Sequence, residues 1–138
     1  MKLRIPELRE DNFEVKTSVK NIKKMHDYQL KLVESSEKLE AAQDGSVHEL
    51  TKAIAVDDMN FIESAEKFIS DILGLTKNEI EKLEDFERID FMNLQSKIVL
   101  ALQGYEDTDI NELLEGEVSA SEKKAQPQKK EKSITTTN

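Results

Sequence analysis

FIESAEKFISDILGLTKNEIEKLEDFERIDFMNLQSKIVLALQG, residues 61–104, is a continuous run of helix signals, and its reading decides the fold class. One helix runs out at Leu73. Gly74 supplies the left-handed residue that ends it, and Leu75 is placed to fold back as the accompanying hydrophobic contact. Thr76 opens the next helix, with Glu79 three residues on as a capping box. Apolar residues recur at helical spacing throughout, yet the run holds no Cys, no His and no glycine-rich phosphate loop. It is dense in packing information and empty of chemistry, which points to a protein that works by binding.

Helical spacing extends to both sides of this run. A first helix is expected over about residues 18–43, with Val19, Ile22, Met25, Leu32, Val33 and Leu39 on one broad face. Gly45 is expected to stop it, and Ser46 with Glu49 is expected to form a second capping box. The second helix then runs from about Val47 to Leu73. Its residues Val47, Leu50, Ile54, Phe61, Ala65, Phe68 and Ile72 fall within roughly 60° of one another at 100° per residue. Val56, Asp57, Asp58 and Met59 interrupt that stripe, and a bend is expected there. A short third helix covers about Lys77 to Phe86. Asp90 is the expected cap of a fourth helix ending before Gly104. The fourth helix is apolar over most of its circumference: Phe91, Leu94, Ile98 and Leu102 share a face, while Met92, Val99 and Leu100 lie off it. Such a helix is buried on several sides, either centrally or in a subunit interface. Phe61, Ala65, Phe68 and Ile72 are expected to pack against it through Leu94 and Ile98.

Outside the helices the chain is simpler. Residues 1–16 form an extended arm in which Leu3 and Ile5 alternate with charged neighbours and Pro6 ends the run. Phe13 and Val15 alternate again, so the arm is either a small β-hairpin or an ordered segment laid on the helices. Residues 105–117 are an acidic linker with a candidate short helix around Ile110, Leu113 and Leu114. Residues 118–138 are almost without apolar side chains and are expected to be a disordered polar tail. The expected architecture is mainly α: a compact bundle of about four helices over residues 17–104, the arm before it and the tail after it.

Composition narrows the function classes. Charged residues make up 36% and hydrophobic ones 37% of the 138 residues, which suits one helical domain with a modest core. A net charge of −9 argues against nucleic acid as a partner. With no cysteine there is neither disulfide nor thiolate nucleophile. The N-terminus lacks the apolar core of a signal peptide, and no apolar run reaches the length of a membrane span.

The candidate chemistry fails residue by residue. His26 and His48 have no Ser, Cys or Asp placed as a recognisable partner. Asp107-Thr108-Asp109-Ile110-Asn111 matches the opening of a calcium loop, but Glu112 stands where the loop needs Gly and Val118 where it needs a bidentate Glu. Asp57-Asp58 and Glu84-Asp85 are neighbours of the kind expected among 29 acidic residues. No catalytic residue, metal site or cofactor is therefore expected. What remains is apolar surface. Val56, Met59, Met92, Val99 and Leu100 lie off the main stripes and are the candidate partner or self-association surface.

The MKLRIPEL arm, the NFEVK segment, two long helices and the FIESAEKFISDILGLTKNEIEKLED run with its ILGLT turn resemble the tail assembly chaperones of long-tailed phages and prophages of Gram-positive bacteria. The resemblance covers about residues 1–104. It implies a non-enzymatic protein of the host cytoplasm, absent from the mature virion, that binds and solubilises the tape measure protein. Tail-tube protein, further copies of the chain and a longer frameshifted form are its other implied partners. Lys123-Lys124 and Lys129-Lys130 are candidate sites for such a frameshift. The alternative from a different class is a small helical adaptor or regulator that binds one folded protein.

Overall fold

In the computed structural model, which describes residues 1–106, 109 and 110, four helices carry the chain: α1 (Val19–Ala41), α2 (Val47–Leu73), α3 (Lys77–Glu84) and α4 (Arg88–Leu102). They follow two short strands, β1 (Lys2–Leu3) and β2 (Phe13–Glu14). The acidic linker expected over 105–117 is described only at residues 105, 106, 109 and 110. The tail expected over 118–138, its lysine pairs and most of the rejected calcium loop lie outside the described residues. The chain divides into two units at Gly104/Tyr105, and the account below concerns residues 1–104.

The helix boundaries follow local chemistry. The Ser18 hydroxyl accepts from the Asn21 amide, and the Ser46 hydroxyl from the Glu49 amide, each satisfying a donor that the first turn leaves free. Among the described residues only Thr76 and Glu79 close a full capping box, with bonds of 3.2 and 2.9 Å in the two directions; the box expected at Ser46 is a single cap, since the Glu49 side chain does not bond back to the Ser46 amide. Gly74 adopts φ 65°, ψ 48°, and the Ser70 carbonyl accepts from both the Gly74 and Leu75 amides. This is the left-handed ending that the ILGLT sequence announces.

Three expectations need correction. α1 ends at Ala41, before Gly45, whose φ is not positive. A Cβ at 45 would crowd the Ala42 carbonyl and the end of the Glu49 side chain, which is free to shift, so glycine eases the packing there. α2 passes through Val56–Met59 without a break, because no residue there lacks a backbone donor or demands a non-helical backbone. α4 is capped at Glu87 with no side-chain bond, and Asp90 sits inside its first turn. There Asp90 favours the helix through charge at the positive end of the dipole rather than as a cap.

The arm is a hairpin and part of the core. Lys2 pairs with Glu14 and Leu3 with Phe13, antiparallel, and the Val15 amide donates to the Met1 carbonyl at 2.7 Å. Alternation turns Leu3, Ile5, Phe13 and Val15 inward, and Leu8 joins them from the turn. A lone two-stranded hairpin is marginal in water, so this one depends on its packing. The remaining core comes from Met25 and Tyr28 of α1, Ala65, Phe68, Ile69, Ile72 and Leu73 of α2, Leu83 of α3, and Phe91, Leu94, Ile98, Ala101 and Leu102 of α4. Tyr28 stacks on Phe68 with ring centroids 4.5 Å apart, and its hydroxyl donates to the Gln95 side chain at 2.7 Å. Burial raises the Tyr28 phenol well above its ordinary range, so the hydroxyl stays a donor.

Val19 and Val33, expected on the inner face of α1, are exposed, and Ile22, Leu32 and Leu39 are only half-buried. Phe61 is half-buried too, meeting Phe91 edge to face at 6.2 Å. Val47 and Ile54 are exposed although they share the stripe of Ala65, Phe68 and Ile72. One arrangement explains these departures. α1 and α2 pair as a long antiparallel hairpin, and the arm, α3 and α4 cover only one end of it.

Candidate partner-binding surface

The covered and bare parts of the hairpin meet at a polar clasp. The Ser35 hydroxyl, itself buried, donates to Asp57 at 2.7 Å and accepts from the Asn60 amide at 3.2 Å. Close by, Arg88 at the first residue of α4 places one guanidinium nitrogen 2.6 Å from both carboxylate oxygens of Asp58. α4 therefore reaches α2 at Asp58 and runs onward over Phe61. Between Ser35 and Ala65 no residue is buried. The α2 portion up to Asn60 alone is about 21 Å long at 1.5 Å per residue.

The bare part is not polar. The apolar stripe of α2 continues through it: Ile54 is 51% and Val47 83% exposed, with Leu50 half-buried between them. On the covered side of the clasp Leu30 and Val33 are exposed on α1, and Ile89 on the first turn of α4. A helix whose apolar stripe is covered for one half and open for the other presents a ready groove for another helix.

The five residues singled out from the sequence fall into two groups. Val56 and Met59, 47% and 54% exposed, lie one turn apart on α2. Helical spacing puts them about 140–200° around the axis from Ile54, away from the side that Asp58 and Phe61 turn to α4. Met92 is exposed near the start of α4, whereas Val99 and Leu100 are half-buried. The structure thus brings Val56 together with Met59 but does not join that pair to the α4 residues in one patch. Val47, Ile54, Leu30 and Ile89 are exposed apolar residues that the sequence reading did not single out. Their signal was the length of the two hairpin helices, much greater than that of α3 and α4, which leaves part of the stripe with nothing to pack on.

A second feature lies at the junction of α2, α3 and α4. A cleft of about 250 Å³ opens there, walled by Phe61, Ile62, Phe86 and Phe91 and rimmed by Glu66 and Glu84. Burial, and then the neighbouring Glu84 carboxylate, push the Glu66 carboxyl above its usual range.

His26 and His48 are exposed. Asp57 and Asp58 are engaged by Ser35 and Arg88. Among the described residues no group of acidic and histidine side chains is arranged to hold a metal ion. No described helix is long and apolar enough to cross a membrane. No curated protein and no solved structure shows significant similarity to the chain. A family model for phage tail assembly chaperone proteins does match it, over residues 1–120, and with that match the uncovered apolar hairpin has a context: the protein belongs to the phage tail assembly chaperone family.

Proposed function

We propose that the protein binds the tape measure protein during tail morphogenesis and keeps it soluble until the tail tube assembles around it. The supporting observation is the apolar stripe of α2 that runs on, uncovered, through Ile54 and Val47. A long helical client with its own apolar face can lie along that groove, helix on helix, burying surface that water would otherwise drive to aggregate. The net charge of −9 keeps the resulting complex in solution. On this reading the protein acts in the cytoplasm of the host bacterium, leaves before the virion matures, and self-associates along the client. Val56 with Met59, and Met92, Val99 and Leu100 on α4, supply further contacts.

The test is co-expression of the full chain with the tape measure protein of the same phage, measuring the soluble fraction of the latter and the mass of the complex. The wild-type chain should raise the soluble fraction. Ile54→Glu and Met59→Glu should lower it with the helical circular dichroism unchanged, since neither side chain is buried. Val99→Glu or Leu100→Glu should reduce the mass of the assembly. A strictly monomeric protein that leaves the tape measure protein insoluble rules this reading out in favour of an adaptor for one folded partner.

A further inference from the structure

We infer that the cleft between α2, α3 and α4 is a side-chain socket that takes one large apolar residue of a partner helix together with a lysine or arginine one helical turn away. The inference rests on the reading of the protein as a binder of helical tail proteins, and it names the chemistry of the segment bound.

Size and lining come first. The cleft has a volume of about 250 Å³, larger than the roughly 150 Å³ that holds a benzene ring. Phe61, Ile62 and Phe86 on its walls are half-buried, so their apolar faces are open to an incoming group. Leu83 and Phe91, both buried, close its floor. An aromatic-walled recess of this kind suits the side chain of a Leu, Met or Phe and not a polar group.

Charge then selects the neighbour. Glu66 and Glu84 stand together on one rim, where the Glu84 carboxylate opposes ionisation of Glu66. Among the described residues neither belongs to an ion pair; the pairs join Arg9 to Glu79, Arg88 to Asp58, Lys31 to Asp27 and the Met1 amine to Glu14. Among the described residues the one cation lining the cleft, Arg88, is turned to Asp58 at 2.6 Å. Two adjacent carboxylates beside an apolar recess are relieved by a cation from outside. On a helix, residues three or four apart share a face, so an apolar residue and a Lys or Arg at that spacing would meet the recess and the rim at once. A partner with acidic flanks would meet repulsion instead, which supplies the specificity.

The test uses the full chain and two fluorescein-labelled amphipathic helical peptides, identical except for Lys or Gln four residues from a single central Leu. Fluorescence anisotropy should give a Kd about fivefold lower for the Lys peptide, the size expected of a rim charge pair. That preference should disappear in the Glu66→Gln, Glu84→Gln double variant, whose fold is checked by circular dichroism. Phe86→Ala should weaken both peptides equally. Equal affinity for the two peptides, no binding of either, or a preference that survives the double variant would overturn the socket. The co-expression experiment is independent of these outcomes. If the double variant still keeps the tape measure protein soluble while the peptides are not distinguished, the socket fails and the chaperone function stands.

Discussion

Glu79 accepts hydrogen bonds from two parts of the chain. Arg9, from the turn of the N-terminal hairpin, donates through Nε and one terminal nitrogen, each at 2.7 Å, and the Thr76 amide donates at 2.9 Å. The same guanidinium lies 4.3 Å above the Phe13 ring, where the ring quadrupole attracts it. The Arg9 bonds, first, and then the Thr76 amide hold the Glu79 carboxyl down at about 2, against an ordinary value of 4.5. The folded state therefore binds fewer protons here than the unfolded state. The stabilisation is complete above about pH 4.5 and is lost as pH falls towards 2. Urea midpoints measured across this window should fall more steeply for the wild-type chain than for Glu79→Gln. Parallel curves would show that the pair adds nothing to stability. Of this site the sequence showed the capping box, because its two members are three residues apart. Arg9 was not legible, because nothing local links a residue to one 70 positions away.

Within α2 one helix serves two roles. Its C-terminal half packs Phe68 against Tyr28 and its stripe against α4, while its N-terminal half carries the same stripe into solvent. Phe68→Ala should cost about 3–5 kcal/mol, as a deleted buried ring does. Ile54→Ala, on the same face and 51% exposed, should stay within about 0.5 kcal/mol. Equal losses in urea titrations would show that the stripe is covered along its whole length. The helices themselves were largely readable, since caps at Ser46 and Thr76 and the left-handed Gly74 are local signals. The stripe was readable too. Where its cover ends was not, because periodicity fixes the apolar face of a helix and leaves open how far its neighbours reach. Tyr28 was passed over for a related reason. A phenol on a helix face is buried only when an acceptor such as Gln95 stands opposite, and that acceptor lies on a different helix.

At the scale of residues 1–104, the core gathers at one end: the arm, α3 and α4 enclose the base of a hairpin whose tip has no buried residue. A fold of this design separates its tasks in space. Substitutions at the tip leave the core intact, so the proposed binding face is free to vary with its partner. The ion pair between Arg9 and Glu79 also sets an order in time. Synthesis releases Arg9 long before Glu79. At about 5–20 residues per second the intervening 70 positions take roughly 4–14 s. Throughout that interval the arm lacks the ion pair that ties it to α3. The segment translated early is thus among the last to dock, and α1 with α2, neighbours in the chain, closes first. Pulsed amide labelling during refolding should find Phe68–Leu73 protected before Phe13–Val15; the reverse order would refute it. Each copy of the chain therefore begins with its first segment waiting on one of its later ones.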